Sequence, residues 1–236
     1  PRCKSVCISL LLLVSLLAGS PLTAQAQPET PAALAFTSTN VKLSGGLVIH
    51  SSPTLADLTG DGLPEILIGT TAQNGASSNQ PNRPMYLTAL RSNDTILWSA
   101  PVDAPINSSP AVADIDGDGQ PEVLVTTGGD VSDRKRQGGL MAFDRSGNLR
   151  WRFTTLDDVP KDGNPDGAFS SPTLCDVDGD GKLEIVFGGW DRQIYLINHD
   201  GSPRWNNLNS YPGIPARPGY HNADTVWSTA ACADLN

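Results

Sequence analysis

The sequence contains three copies of a nine-residue pattern that begins with aspartate and ends with glutamate. The copy from Asp114 to Glu122 has carboxylates at positions 1, 3, 5 and 9 and glycines at positions 4 and 6. The copy from Asp176 to Glu184 has the same arrangement, and the copy from Asp57 to Glu65 has Thr59 in place of an acid at position 3. Carboxylates this close repel one another unless a cation lies between them. The pattern therefore predicts a hard divalent ion with oxygen ligands, Ca²⁺, in each copy.

These patterns belong to a longer repeat. The triplets Ser51-Ser52-Pro53, Ser108-Ser109-Pro110 and Ser170-Ser171-Pro172 each precede one pattern by the same distance, at intervals of 57 and 62 residues. Ser228-Thr229 follows after a further 58 residues and leads to Asp234-Leu235-Asn236, which we interpret as the start of a fourth copy. A repeat of about 60 residues is typical of propellers and solenoid arrays.

Each repeat contains short apolar runs with a period of two, which predicts β-strands. Four antiparallel strands per repeat are typical of the blade of a β-propeller, so the predicted fold class is all-β. A tryptophan recurs on the fourth strand of each repeat, where we expect it to pack between blades; these are Trp98, Trp151 and Trp205. The predicted strands span 54–58, 65–70, 85–90 and 95–99, then 111–115, 122–127, 139–144 and 149–153, then 173–177, 184–188, 193–198 and 203–206.

The predicted organisation is a secretory signal, a linker and a partial propeller. Residues 1–26 have basic residues near the start, an apolar run too short to span a bilayer, and a small-residue cleavage sequence. Residues 27–40 lack periodicity, which favours a linker. The propeller is predicted over 41–236, with blades at about 47–100, 105–155 and 167–207 and a truncated fourth at 226–236. We therefore expect a periplasmic, secreted or cell-surface protein with no transmembrane segment in the mature chain.

Charge and cysteine content narrow the class of protein further. Loss of Arg2 and Lys4 with the signal changes the formal charge from −9 to −11, which argues against nucleic acid as a partner. Cys175 and Cys232 remain in the mature chain. Their positions in the repeat differ by one, so we expect them to face opposite ways and favour buried free thiols over a disulfide.

The acidic patterns differ from EF-hand loops after position 6. Position 12 is Ile68, Val125 or Phe187 rather than the bidentate glutamate of an EF-hand, and strands rather than helices flank the pattern. We expect ligands from the side chains at positions 1, 3, 5 and 9 and from the backbone carbonyl at position 7, with water, and a weaker site where Thr59 stands. The predicted ligand residues are Asp57, Thr59, Asp61, Leu63 and Glu65; Asp114, Asp116, Asp118, Gln120 and Glu122; and Asp176, Asp178, Asp180, Lys182 and Glu184.

The triplets, the acidic patterns and runs such as residues 184–189 resemble FG-GAP/VCBS repeats over about residues 45–236. These are the calcium-loop blades of integrin α-subunits and of many secreted bacterial proteins. The resemblance implies a β-propeller with one Ca²⁺ between the first and second strands of each blade, three in all. Integrin-type loops end in aspartate, where this chain has Glu65, Glu122 and Glu184. Residues 140–153 also look like quinoprotein-type blades, although we find no signature for a quinone cofactor.

The predicted strands place the short acidic loops on one face and the long connections on the other. The long connections are residues 71–84, 100–107, 128–138, 155–169 and 207–226, and long loops on a rigid scaffold commonly carry binding sites. We call this side the long-loop face and expect a carbohydrate or protein ligand there. Candidate contributors are the basic cluster at 134–136, an acid before each of two triplets and a set of aromatic residues. We favour a solvated loop tip for the cluster and turn packing for the aromatic residues, and the two acids also fit a loop-bracing hydrogen bond. The residues are Asp166, Asp224, Trp190, Tyr211, Tyr220, His221 and Trp227.

Three classes of function fit this pattern. The first, which we favour, is a secreted or cell-surface calcium-binding module for binding or adhesion, similar in kind to integrin α propellers. The second is the propeller scaffold of a secreted carbohydrate-active enzyme, a polysaccharide lyase or hydrolase, with its catalytic residues elsewhere. The third is a structural spacer. His50, His199 and His221 show no spacing that suggests a nucleophile with its base, so we assign no catalytic residue.

Overall fold

The computed structural model describes residues 40–43, 46, 48, 50–71, 85–128, 138–156, 166–191, 193–204 and 228–233. All of them belong to one compact unit, Thr39–Asn236. The predicted signal peptide, nearly all of the predicted linker and the acidic residue of the fourth copy lie outside the described residues.

The described chain forms three antiparallel sheets, one for each predicted blade. Strands follow one another in sequence order, so each sheet is a meander. The strands are β1 (Thr54–Ala56), β2 (Glu65–Gly69), β3 (Met85–Leu90) and β4 (Ile96–Val102) in the first blade; β5 (Ala111–Ala113), β6 (Glu122–Thr127), β7 (Gly139–Phe143) and β8 (Leu149–Thr154) in the second; and β9 (Thr173–Cys175), β10 (Glu184–Gly188) and β11 (Ile194–Ile197) in the third. This all-β architecture of repeated meanders is the predicted β-propeller.

Some strand ends differ from the prediction for local reasons. Each first strand is two residues shorter than predicted, because the residues after it turn into the acidic loop. The backbone N–H of Leu58, for example, donates to the side-chain carboxylate of Glu65 rather than to the backbone of a neighbouring strand. Strand β4 runs on to Val102, into a stretch predicted to be a connection. In the third blade Pro203 forms an isolated bridge with Ile197, and the rest of the predicted fourth strand lies outside the described residues.

Two apolar clusters lie between consecutive blades, and alternation along the middle blade divides its side chains between them. Val123 and Val125 of β6 pack in the cluster shared with the first blade, whereas Leu124 packs in the cluster shared with the third. Strand β7 divides in the same way, with Phe143 on one side and Leu140 on the other. A central strand with both faces covered explains why β6 is apolar at successive positions rather than at every second one.

The predicted packing of tryptophan between blades is confirmed for two of the three. The indole N–H of Trp98 donates to the carbonyl of Arg145, and that of Trp151 donates to the carbonyl of His199, each at 2.9 Å. Each ring lies against a glycine in the β-turn of the next blade, where a Cβ would collide with the indole. Each indole therefore fastens the fourth strand of one blade to the next blade. Trp205 lies outside the described residues.

The expectation of free thiols was wrong, because Cys175 and Cys232 form a disulfide with Cα atoms 6.3 Å apart. The expectation that the two side chains face opposite ways assumed that both cysteines lie on β-strands. Cys232 instead lies in residues 228–233, which form no strand and run beside β9; the hydroxyl of Thr173 donates to the carbonyl of Ala230 at 2.7 Å. Period-two alternation therefore does not determine where Cys232 points.

Replacing Cys175 and Cys232 together with alanine should lower the free energy of unfolding, because the bridge restricts the unfolded chain over a separation of 57 residues. The chain-entropy relation gives a loss of about 4 kcal/mol for such a loop. Thermal unfolding should show a lower Tm for the double variant, and a reductant should lower the Tm of the wild type but not that of the variant. An equal response of both proteins to the reductant would contradict the bridge.

Candidate functional site

Each acidic loop is a tight turn organised around the aspartate at position 1. In the second blade the carboxylate of Asp114 accepts backbone N–H groups from Gly117 at 2.8 Å, Asp118 at 3.1 Å and Gly119 at 2.7 Å. The glycines at positions 4 and 6 have φ near +80°, with open space where a Cβ would stand. Glycine is therefore required here for its backbone conformation and not for close packing. The other two loops repeat this turn around Asp57 and Asp176.

The glutamate at position 9 joins the end of each loop back to its beginning. Glu65, Glu122 and Glu184 begin the second strands and are all buried. In each blade one carboxylate oxygen accepts the backbone N–H of position 2, at 2.8 Å, 3.1 Å and 2.9 Å respectively. The glutamate thereby fixes the loop to the base of the strand that follows it.

The loops bring together some of the predicted ligands and not others. Carboxylate oxygens of positions 1, 3 and 9 lie within 4.8 Å of one another in two loops, the sets being Asp114, Asp116 and Glu122, and Asp176, Asp178 and Glu184. The acids at position 5 are not in these sets. Asp61, Asp118 and Asp180 each accept the backbone N–H of position 7 at 2.8 Å. Among the described residues the first loop, with Thr59 at position 3, forms no group of three acids.

A guanidinium group already contacts the acids of the second and third loops. Arg150 donates to Asp116 at 2.8 Å and to Glu122 through its two terminal nitrogens. Arg204 donates to Asp178 at 2.6 Å and lies 3.4 Å from Glu184. Sequence reasoning missed both arginines. Their signal was available, because an arginine stands directly before the repeated tryptophan in these two blades and Leu97 stands there in the first.

Backbone and guanidinium contacts shift the pKa values of the loop acids. The N–H of Gly119 is the main cause of a lowered pKa at Asp114, and the N–H of Gly62 acts in the same way on Asp57. The hydrogen bond from Arg204 lowers the pKa of Asp178. Burial raises the pKa of Glu122, although the N–H of position 2 and Arg150 oppose that rise. Hydrogen-bond donors within the protein therefore favour the ionised form of Asp57, Asp114 and Asp178.

The donor set agrees in kind with a hard cation, since carboxylate oxygens are the ligands that such ions prefer. The acidic groups of the second and third loops could hold a metal ion. The loop of the second blade opens to solvent through a depression lined in part by Asp118, Gln120 and Arg145. These loops differ from a loop that holds only a metal ion, because Arg150 and Arg204 contact the acids at positions 3 and 9. An ion and a guanidinium would therefore use the same carboxylate oxygens.

The long-loop face is described only in part. Trp190 lies in the turn after β10 and packs against Phe169, with ring centroids 5.3 Å apart. Within the long connection 155–169, the backbone N–H of Asp166 donates to the carbonyl of Leu156 at 2.9 Å. The other predicted contributors to this face lie outside the described residues, namely the basic cluster at 134–136, Tyr211, Tyr220, His221, Asp224 and Trp227.

Asp191, next to Trp190, is a buried acid that the sequence did not single out. It accepts hydrogen bonds from the hydroxyl of Tyr195 and from the backbone N–H groups of Leu156 and Gln193. Burial raises the pKa of Asp191 to about 6. Because Asp191 has no exposed surface, it braces the β10–β11 turn against the long connection and offers no group to a ligand.

Within the described ranges, the structure contains no helix with the length and apolar character needed to cross a membrane.

Comparison with known proteins identifies a propeller family. The profile of the lambda-carrageenase β-propeller domain matches residues 86–211, which is more than half of the chain. No curated protein matches the sequence. Among solved structures, the quinohemoprotein alcohol dehydrogenase from Comamonas testosteroni is similar with 12% identity and a TM-score of 0.44, over 64% of this chain and 27% of that protein.

The family match agrees with the architecture built from the strands. It supports a β-propeller, while the narrower resemblance to FG-GAP/VCBS repeats is not confirmed by it. The matched residues include all of the second blade and the acidic loop of the third. The chain belongs to the family of lambda-carrageenase β-propeller domains.

Proposed function

We propose that this chain is the β-propeller domain of a secreted carbohydrate-active protein and that it binds polysaccharide through the long-loop face. The observation that carries this proposal is the match of residues 86–211 to the propeller domain of a carrageenase, an enzyme named for a polysaccharide. The match favours the carbohydrate-active alternative over integrin-like adhesion. The proposal assigns binding to this face and no catalytic step to any described residue.

An aromatic group on the long-loop face supports carbohydrate as the ligand. The ring centroids of His50 and Phe169 are 5.6 Å apart, and Phe169 in turn packs against Trp190. His50 and Phe169 each stand directly before a Ser-Ser-Pro triplet, so they come from equivalent positions in the first and third blades. His50 is exposed and the other two rings are half-buried. Aromatic side chains with a few polar groups are typical linings of ligand sites, and the apolar faces of sugars can stack on such rings.

The predicted signal peptide supports export, so we assign the protein to the periplasm, the medium or the cell surface. A polysaccharide too large to cross a membrane is encountered there. The strongly acidic formal net charge of −9 further favours a carbohydrate or protein partner over nucleic acid.

Replacing Trp190 with alanine should weaken polysaccharide binding roughly tenfold, because a large aromatic contact is lost from the proposed surface. Leu149→Ala is the matched control, since Leu149 is 52% exposed at the start of β8, on the opposite face, and this variant should bind as the wild type does. Affinity electrophoresis or titration calorimetry against carrageenan and a panel of other polysaccharides measures both. The proposal fails if no polysaccharide binds the wild type, or if Trp190→Ala and Leu149→Ala behave alike.

For the acidic loops we propose Ca²⁺ as the bound ion, one per loop. Side chains at positions 1, 3, 5 and 9 and the carbonyl at position 7 would hold it, as the residue pattern predicts. The convergence of three carboxylates in the second and third loops supports the ligands at positions 1, 3 and 9 there. The ion would brace the hairpin between the first two strands of a blade, on the face opposite the aromatic group.

Changing Asp116 to alanine should reduce calcium affinity at one site by at least about tenfold, because a charged ligand is removed. Changing Thr59 to alanine should have a smaller effect, since a neutral hydroxyl is the weaker donor. Calorimetric titration of calcium into each variant, after treatment with a chelator, ranks the two effects. The opposite ranking would show that the ligands are ordered wrongly, and the absence of binding in the wild type would exclude Ca²⁺.

A further inference from the structure

In the second and third acidic loops, a positively charged side chain of the protein itself, an arginine, contacts the acids. In the second blade the two terminal nitrogens of Arg150 reach Asp116 at 2.8 Å and the buried Glu122. In the third blade one terminal nitrogen of Arg204 reaches Asp178 at 2.6 Å and lies 3.4 Å from Glu184. A planar guanidinium suits two neighbouring carboxylates, because its donors point outward in a fixed fork.

A β-bulge positions this arginine. In the second blade Trp151 pairs with Ala142, whereas Leu149 pairs with Phe143, so Arg150 is the extra residue between two paired positions. Bulges redirect a side chain away from the regular alternation of a strand. The indole of Trp151 is fixed to the next blade, which anchors the strand directly beside the bulge. The position of the guanidinium over the loop is therefore set by the backbone of β8.

Between the blades of this chain, the residue before the repeated tryptophan changes together with the residue at position 3 of the acidic loop. The first blade has the same bulge, with Trp98 paired to Ala89 and Ile96 paired to Leu90, and its extra residue is Leu97. That blade is the one with Thr59 in place of aspartate at position 3. An arginine thus stands directly before the repeated tryptophan in the two blades that have an acid at position 3, and an apolar residue stands there in the blade that lacks it.

In the second and third loops an acid at position 3 lies beside the buried glutamate, and this pair of carboxylates explains why these loops need a nearby positive charge. The side chains of Glu122 and Glu184 are only 1% and 2% exposed. A buried carboxylate without a counter-charge is costly, and removal of one partner from a buried ion pair is strongly destabilising. Water reaches Arg150 and Arg204 on their outer side, since their side chains are about one-third exposed. Each guanidinium therefore neutralises a buried acid while it remains free to turn outward.

We propose that Arg150 and Arg204 are built-in counter-cations that keep the second and third loops closed without a metal ion, and that a divalent ion binds there only by displacing them. The displacement part rests on the calcium site proposed above, because the same oxygens of positions 3 and 9 would serve both cations. The first blade has no such competitor among the described residues. The two kinds of loop should therefore differ in their dependence on metal.

Arg150→Met tests the proposal in the full chain, and Leu97→Met at the equivalent bulge is the matched control. In a chelator the Arg150 variant should unfold about 3–6 °C below the wild type, as expected for a loss of one to two hydrogen-bonded ion pairs in a chain of this size. The control should unfold within about one degree of the wild type. Calcium should bind the Arg150 variant roughly tenfold more tightly than the wild type, because no guanidinium has to leave.

Three outcomes are decisive. Equal melting of the Arg150 variant and the wild type in chelator would overturn the counter-cation role, and weaker calcium binding by the variant would overturn competition. A lower Tm in chelator with no calcium binding by either protein would support the counter-cation and exclude Ca²⁺ as the loop ligand.

A gain-of-function pair keeps the test valid if the Arg150 variant fails to fold. Thr59→Asp and Leu97→Arg, combined in the first blade, should recreate the ion pair and give a higher Tm than the sum of the single changes predicts. Strictly additive effects of the two changes would contradict the proposal.

Discussion

The buried glutamate at the end of each acidic loop is the contact on which the blade depends. Glu122 begins the second strand of its blade and accepts the N–H of Ile115 at 3.1 Å, so one side chain joins the start of the loop to the second strand. In the second blade this position places a buried carboxylate beside a second acid, Asp116, and the two negative charges have to be neutralised. Arg150 supplies the neutralising charge, the β-bulge positions Arg150, and Trp151 anchors the strand beside the bulge to the next blade.

The fold could be predicted from the sequence because its signals are local and repeated. Glycines at positions 4 and 6 are required by the positive φ of the loop, and the spacing of Trp98 and Trp151 marks a contact that recurs between blades. Arg150 was missed because its bulge breaks the alternation by which strand residues are assigned to faces. The disulfide was missed for a related reason, since Cys232 lies in a segment that forms no strand.

Two faces of the molecule have separate roles in the proposed function. The acidic loops contain 11 of the 25 acidic residues and define the blades, yet they lie opposite the aromatic group formed by His50, Phe169 and Trp190. At the long-loop end of the second blade, the hydroxyl of Ser108 accepts the N–H of Thr126, so the triplet is tied to the second strand of its own blade. A metal ion or an arginine in the loops would therefore affect ligand binding only through the rigidity of the blade.

The occupant of the second loop can be observed directly by crystallography in the presence of a chelator and again after calcium is added. Without metal, the guanidinium of Arg150 should lie within hydrogen-bonding distance of Asp116 and Glu122. With calcium, an ion should replace it between those carboxylates, and the arginine should turn toward solvent. A guanidinium directed away from the loop in metal-free crystals, or an ion bound while Arg150 keeps both contacts, would contradict the assignment of Arg150 as the resident cation.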